Sequence, residues 1–256
     1  MNHLPYISVV VTTHNRPVLL KKCLHSILQQ NVSNEIILCG DEGSIETRSI
    51  ALNSLRVNDS LVIVPGINGP AATRNIGISL ARGKWICFLD DDDFYENDYF
   101  EKILNFLKEN EGVVNFFNYK QHIYDVSNNL LTINEIDLSG KNIEDIKVCN
   151  FIPNNAVMIP ALIAKSYQVD EDLESHEDWE YLLKINNVHQ IKHRHANGPV
   201  VNLRNKTRNS DSINSKRYLF DFITIYRKWP ANNDDLLMKR KAFLDSQGLS
   251  LPMELI

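Results

Sequence analysis

The chain has 256 residues, a formal net charge of −5, and 43% apolar and 23% charged residues, which suits a globular protein with room for a full α/β core. The net negative charge argues against a protein whose main business is nucleic acid. No run of 18 apolar residues exists that would span a membrane.

Along the chain, Ile7 to Thr12 is a short β-branched run and predicts a buried strand. Asn15 is placed to cap the next helix, with Pro17 in its first turn; Leu19, Leu20, Cys23, Leu24, Ile27 and Leu28 then recur at helical spacing. Glu35 to Cys39 predicts a second strand, and Ser44 a cap for the helix that follows the Asp41-Glu42-Gly43 turn. Leu61 to Val64 and Trp85 to Leu89 predict two more strands, separated by a helix from Ala71 to Ala81. Apolar strands alternating with helices mean a mostly parallel sheet covered on both faces. Ligands of such sheets bind beyond the carboxyl ends of the strands, so Asn15, Asp41 and the aspartates after Leu89 are expected in one crevice. Further on, a helix is expected over Asp98 to Lys108 and a strand over Val113 to Tyr119. Residues 120–150 show no strong period and suit a hairpin or two short strands. Ala156 to Ile159 and Val200 to Leu203 predict strands, and His176 to Ile185 a helix. Leu219, Phe222, Ile223, Tyr226 and Trp229 line one face of a helix, and a last helix is expected over Leu236 to Phe243.

Charge is unevenly spread. Residues 194–228 carry eight Lys/Arg against two Asp, while 90–98 and 170–180 are acidic, which predicts a cation site and an anion-facing segment in one molecule. Cys23, Cys39, Cys87 and Cys149 have no metal-ligand spacing, and the first three lie in apolar stretches. Buried free thiols in a reducing, cytoplasmic compartment are the expectation. The N-terminus, Met-Asn-His-Leu-Pro, lacks a basic region followed by an apolar core.

Asp90-Asp91-Asp92-Asp93 directly follows the fourth strand. Adjacent carboxylates repel one another, and a hard divalent cation relieves the repulsion. Alternation in an extended turn would aim Asp90 and Asp92 into the crevice and Asp91 away. Carboxylates sharing magnesium or manganese with phosphate oxygens would neutralise charge on a leaving phosphate; a solvated acidic turn is the alternative.

With these residues in place, the chain from Ile7 to about Ile213 resembles glycosyltransferase family 2, of the GT-A fold. Ile7 to Arg16 is similar to the family's opening strand and nucleotide-pocket loop, which implies donor contacts from Thr13, Asn15 and Arg16. Asp41-Glu42-Gly43-Ser44 resembles the family's Asp-Asp-Gly-Ser motif and implies that Asp41 meets the base, commonly uracil. Asn68 to Gly77 is similar to the segment ending in Ala-Arg-Asn-x-Gly and implies donor-site roles for Asn68 and Arg74. Leu89 to Asp93 resembles the Asp-x-Asp region, which implies Asp90 toward the ribose, Asp91 beside it and Asp92 on the metal. Glu177-Asp178-Trp179-Glu180 looks like the acidic motif whose aspartate is the catalytic base, here Asp178, with Glu177 positioning groups beside it. Arg204 to Ile213 resembles the closing segment that reaches the donor phosphates, here through Arg208. Glu42, Ile45, Glu46 and Thr73 depart from the family's usual residues.

The resemblance implies a GT-A domain over residues 1–213, with a nucleotide-sugar half (1–95) and an acceptor and base half (96–213), followed by a helical extension over 214–256. It implies an inverting, Mn2+- or Mg2+-dependent transfer from a nucleotide sugar, with UDP the expected nucleotide, to a glycan or lipid-linked acceptor. A retaining transferase and a non-catalytic nucleotide-sugar-binding protein are the competing readings. A sugar-1-phosphate nucleotidyltransferase would need a glycine-rich loop after the first strand, where this chain has Thr12-Thr13-His14-Asn15-Arg16-Pro17; a dehydrogenase would need Gly-x-Gly-x-x-Gly there. His176 suits an exposed cap, and His193 with His195 suits a metal pair only weakly. The apolar face ending in Trp229 is expected to be core, with a homodimer interface or a peripheral membrane contact as alternatives.

Overall fold

The computed structural model describes residues 4–40, 44–64, 66, 69–204, 216–249 and 251–256. Seven strands form the main sheet: β1 (Ile7–Thr13), β2 (Asn34–Gly40), β3 (Ser60–Ile63), β4 (Trp85–Asp90), β6 (Val114–Phe117), β9 (Val157–Pro160) and β10 (Ile191–Arg194). Their order across the sheet is β10-β6-β9-β4-β1-β2-β3. All neighbours run parallel except β9, which is antiparallel to both β4 and β6.

The central strands are mostly apolar on both faces because both faces of the sheet are covered, with the buried Ser8 and Glu35 bonded to each other at 2.6 Å. Val9, Val11, Ile36, Leu38, Trp85, Cys87 and Leu89 face one core, which they share with Leu20, Leu24 and Ile27 of α1 (Pro17–Leu28) and Phe100, Ile103 and Leu107 of α4 (Tyr99–Glu109). The residues between them, Val10, Ile37, Cys39, Ile86 and Phe88, face the other core with Ala71 and Ile78 of α3 (Gly69–Leu80) and Trp179, Leu182 and Leu183 of α6 (Glu177–Asn186). Helix α2 (Ile45–Ser54) is capped as expected, Ser44 Oγ accepting from the Thr47 amide at 3.2 Å. A short α5 (Ala161–Ala164) follows β9. The hairpin expected within residues 120–150 is present, whereas the single strand expected over Val113 to Tyr119 is split between two sheets. The chain leaves the main sheet at Asn118, whose Oδ1 accepts from the Leu138 amide at 2.9 Å. It then builds a second sheet, ordered β5-β11-β7-β8, from β5 (Phe94–Tyr95), β7 (Tyr119–Tyr124), β8 (Leu130–Ile136) and β11 (Pro199–Arg204). The β7–β8 hairpin turns on Asp125, which accepts from the Ser127 and Asn129 amides at 2.8 Å, with Asn128 left-handed at φ 64°.

The C-terminal segment is helical, as α7 (Lys216–Lys228) and α8 (Asp234–Ser246), but it is not a separate layer. Phe222, Ile225 and Tyr226 are buried in the core they share with Trp179 and Leu244. Phe222 and Tyr226 rings lie 5.3 and 5.8 Å from Trp179. Of the face expected from the sequence, Phe222 and Tyr226 are core, Ile223 and Trp229 are half-buried against it, and the Leu219 side chain lies outside the described residues. Cys23, Cys39 and Cys87 are buried free thiols, and Cys149 is half-buried. Among the described residues no helix is long and apolar enough to cross a membrane.

Helix α3 sits unusually close to β1. A Cβ added at Gly77 would fall inside the van der Waals radius of Val10 Cγ1. On an exposed helix Gly→Ala stabilises by about 1 kcal/mol. Here overpacking against a fully buried strand reverses the sign. Gly77→Ala should lower stability by about 1–3 kcal/mol in urea denaturation; a stabilised variant would show that the helix is free to shift away.

Candidate active site

Strands β1 and β4 lie side by side, Thr12 opposite Asp90 in register, so the loops beyond them meet. The four aspartates there divide into different environments. Asp90 Oδ1 accepts from Thr12 Oγ1 at 2.7 Å and from Arg74 Nη2 at 2.9 Å. Burial pushes its carboxyl up, but Arg74 and the Thr12 hydroxyl outweigh this and hold it below the usual range. Asp91 turns inward, as alternation predicts, and is fully buried. Its Oδ2 accepts from Thr13 Oγ1 at 2.7 Å and the His14 amide at 3.1 Å, and its Oδ1 pairs with Arg16 Nη2 at 2.7 Å. Burial raises it to about 6 against the pull of Arg16. Asp91 and Thr13, expected among the donor contacts, thus spend their polar atoms on each other and clamp the two loops together.

Asp92 stays partly exposed, its Oδ2 held by Arg16 Nη1 at 2.6 Å. The forked guanidinium spans Asp91 and Asp92 at once. Burial and Asp90 raise the Asp92 carboxyl. Among the described residues no group of three His, Cys, Asp or Glu side chains forms a closed metal cage. The donor set fits the other kind of site: one hard carboxylate, crowded by its neighbours and engaged through a single oxygen, is what an ion shared with a diphosphate requires. Asp93 points away from the crevice, its Oδ1 accepting from the Asn202 amide at 2.8 Å and its Oδ2 from Asn155 Nδ2 at 3.2 Å. Asn202 Nδ2 also donates to the Asp92 carbonyl at 2.5 Å, so β11 carries the floor of the aspartate turn.

Asn15 is not the helix cap. Arg16 occupies that position without a side-chain cap bond. Asn15 is left-handed at φ 51°, and its Oδ1 accepts from the Ser44 amide at 2.5 Å, which ties the β1 and β2 loops together. Asp41, Asn68 and Arg208 lie outside the described residues. Arg204, at the end of β11, stacks 4.6 Å above the Tyr124 ring and donates to Asn128 Oδ1 at 3.1 Å.

Arg74 is the pivot. It is 4% exposed and reaches the site from the first half of α3. Nη2 meets Asp90 and Nη1 meets Glu177 Oε1 at the start of α6. Asn75, beside it, pairs with both backbone groups of Val169 at 2.8 and 2.9 Å and fixes the segment leading to α6 rather than a donor loop. Glu177 is buried and committed to Arg74. Asp178, next to it, pairs with no cation among the described residues: Oδ1 accepts from the Trp179 amide at 2.7 Å and Oδ2 from Asn150 Nδ2 at 3.3 Å. A helix N-terminus favours the ionised carboxylate. Here burial and then Glu177 raise Asp178 to about 7, with Arg74 opposing. His176 occupies the N-cap position of α6, left-handed at φ 59°, without a side-chain cap bond, and it is not an exposed cap. Its ring packs 4.7 Å from Phe222 and 5.9 Å from Trp179, and burial lowers it to about 4. His193 and His195 flank the Asn118 amide at 2.7 and 3.4 Å, which is a hydrogen-bond role.

The aspartate run and the family resemblance pointed to Arg16, Arg74, Asp90, Asp92, Glu177 and Asp178, which the structure brings together; neither pointed to Thr12, Asn150, Asn155 and Asn202, which lie bonded to them or to Asp93. These four carry no local motif; each acts across a large sequence separation, and only the β11 and β1 registers bring Asn202 and Thr12 to the aspartates.

The profile of glycosyl transferase family 2 matches residues 8–165, which includes β1 to β9 and the aspartates but stops before α6. An uncharacterized glycosyltransferase of Haemophilus influenzae is 37% identical over 120 residues, 46% of this chain and 48% of that protein. The GalNAc(5)-diNAcBac-PP-undecaprenol beta-1,3-glucosyltransferase of Campylobacter jejuni is 35% identical over 118 residues, 44% of this chain and 38% of that protein. The chain thus matches about half or less of these relatives' length. The crystal structure of S. aureus TarS 1-349 in complex with UDP-GlcNAc superposes with a TM-score of 0.67 over 93% of this chain and 71% of that one, at 18% identity; that likeness carries α6 and the second sheet into a shared GT-A-like fold. The chain belongs to glycosyl transferase family 2.

Proposed function

We propose that the protein transfers a sugar from a UDP-sugar to a hydroxyl of a glycan or lipid-linked saccharide in a single displacement with inversion, and that Asp178 is the base. The observation that carries this is the buried Arg74 bridge: it ties the start of α6 to the end of β4, so a carboxylate that pairs with no cation among the described residues is held on the side of the aspartates. Of the two acids in α6, Glu177 is held by Arg74 and Asp178 is left to accept a proton. TarS has been crystallised with UDP and with UDP-GlcNAc, which supports a uridine nucleotide here. The Campylobacter relative is named for a β-glucosyl product, the configuration that one inversion of an α-linked nucleotide sugar delivers.

Asp178 accepts the acceptor's proton as the hydroxyl attacks, and a carboxyl raised to about 7 is a stronger base than an ordinary aspartate while still partly ionised at neutral pH. Asp90 faces the crevice beside it, and its paired, ionised carboxylate suits a ribose hydroxyl. Arg16 holds the aspartate turn in shape. Asp92 would hold the Mn2+ or Mg2+, which, when bound, neutralises charge on the leaving diphosphate.

Asp178→Asn should reduce transfer about 10²–10⁴-fold, roughly 3–5 kcal/mol of barrier, with UDP affinity retained. The base works ionised, so the wild-type rate should fall about tenfold per pH unit below about 7 and level off above it. Rate–pH profiles with UDP-sugar donors test this, and a profile flat from pH 5 to 8 would remove the base from this carboxyl. Undiminished transfer by Asp178→Asn would favour a retaining enzyme.

Calorimetry with UDP in manganese, with and without chelator, tests the ion. Binding should weaken on chelation, and Asp92→Asn should bind UDP in manganese no better than wild type does in chelator. Full affinity and turnover in chelator would exclude the ion from the reaction.

A further inference from the structure

The carboxylate of Asp178 is aimed by a side chain that belongs to neither α6 nor the aspartate turn. Asn150 Nδ2 donates to Asp178 Oδ2 at 3.3 Å. The amide's orientation is pinned from its other end, because Asn150 Oδ1 accepts from the Ile152 amide at 3.0 Å. Asn150 therefore presents a donor to Asp178, and a donor favours the ionised carboxylate.

Asn150 follows a one-turn 3₁₀ helix (Ile143–Lys147) and lies in irregular chain. Within the segment the Val148 and Cys149 amides donate to the Asp145 carbonyl at 2.9 and 3.3 Å, and Trp179 of α6 donates from Nε1 to the Ile146 carbonyl at 2.6 Å. The last two helices add the ties nearest to Asn150. Tyr226 of α7 donates its hydroxyl to the Val148 carbonyl at 2.6 Å. Arg240 of α8 donates from Nε to the Lys147 carbonyl at 2.9 Å and from Nη2 to the Trp229 carbonyl at 2.6 Å, and its guanidinium stacks 4.2 Å from the Tyr226 ring. Arg240 is 1% exposed, and among the described residues it pairs with no carboxylate and leaves Nη1 without a hydrogen-bond acceptor. A buried cation held only by carbonyls and a ring costs more than an apolar residue of the same volume. What the cation supplies is directional donors to the segment carrying Asn150.

We infer that Asn150 is a positioning residue for Asp178, held in place through the Lys147 and Val148 carbonyls by Arg240 and Tyr226 of the C-terminal helices. The inference rests on Asp178 being the base. The charged groups that act on Asp178 are Glu177 on its own helix, Arg74 from α3 and Asp90 from the end of β4; all three remain when Asn150 is changed.

The test is a carbon-13 carboxyl NMR titration of aspartate-labelled protein, with the Asp178 signal assigned by its loss in Asp178→Asn, run beside the rate of UDP release from UDP-GlcNAc and UDP-glucose. Wild-type Asp178 should titrate near 7. Asn150→Ala should raise it by about one unit, and Asn150→Asp, which adds a charge, by more. Tyr226→Phe removes a single hydroxyl and should raise it by less, with the fold intact. The low-pH limb of the rate profile should move by the same amounts while the KM for donor stays unchanged. A merely structural role would lower the melting temperature and leave the titration in place. An unmoved Asp178 titration in both Asn150 variants overturns the inference and leaves the base assignment standing. Full donor turnover by Asp178→Asn overturns the base assignment and this inference with it.

Discussion

A buried arginine that must be neutralised from two directions sets the geometry of this molecule. Arg74 reaches Asp90 at the end of a central strand and Glu177 at the start of a helix 103 residues later in the chain. A guanidinium stripped of water is costly unless its donors are filled, and the two carboxylates that fill those of Arg74 tie α6 to the end of β4. That in turn depends on α3 lying hard against β1, which Gly77 allows. The bridge also leaves the two acids of α6 in different states. Glu177 is consumed by the cation, whereas Asp178 feels burial and a like charge and rises to about 7.

The aspartate turn applies the same physics to four carboxylates. With Arg16 and Arg74 as the guanidiniums at hand, the turn distributes its acids among an ionised pair member, a buried clamp, a half-open ligand position and an anchor on β11. Only Asp90 is held below the ordinary range; Asp91, Asp92 and Asp93 are pushed up by burial and by one another. A site in that condition gains from a cation brought by a diphosphate. The position of the turn beyond β4 follows from the general placement of ligands at strand ends in parallel sheets.

Much of the main sheet was legible because strands covered on both faces are mostly apolar and read as near-continuous runs. The aspartate turn and Arg74 were legible because they lie at strand and helix ends. The second sheet was legible in part: the hairpin expected within residues 120–150 is β7–β8 and the strand expected over Val200 to Leu203 is β11, but their bounds and their pairing with β5 were not. Leu130, Leu131 and Ile133 of β8 are exposed, so no alternation marks that strand, and β5 has only two residues. Two local expectations gave way to tertiary contacts. Asn15 left its helix cap for the Ser44 amide, and the His176 ring entered an aromatic core made by Trp179 and Phe222. The acidic start of α6 suggested a carboxylate stabilised by the helix, but burial outweighed the dipole at Asp178. The contribution of Asn150 and the C-terminal helices had no signal at all, since it runs through backbone carbonyls whose side chains are unremarkable.

The central claim is that Arg74 couples the donor aspartates to the base-bearing helix, and a double-mutant cycle measures that coupling directly. Arg74→Lys cannot reach two carboxylates with one fork, and Glu177→Gln removes one of them. UDP release from UDP-sugar donors is measured for the wild type, each single variant and the double variant. The coupling should be on the order of 1–3 kcal/mol, with the double variant little worse than Arg74→Lys alone. Additive losses, within about 0.5 kcal/mol, would contradict it and show that the two halves of the site act independently.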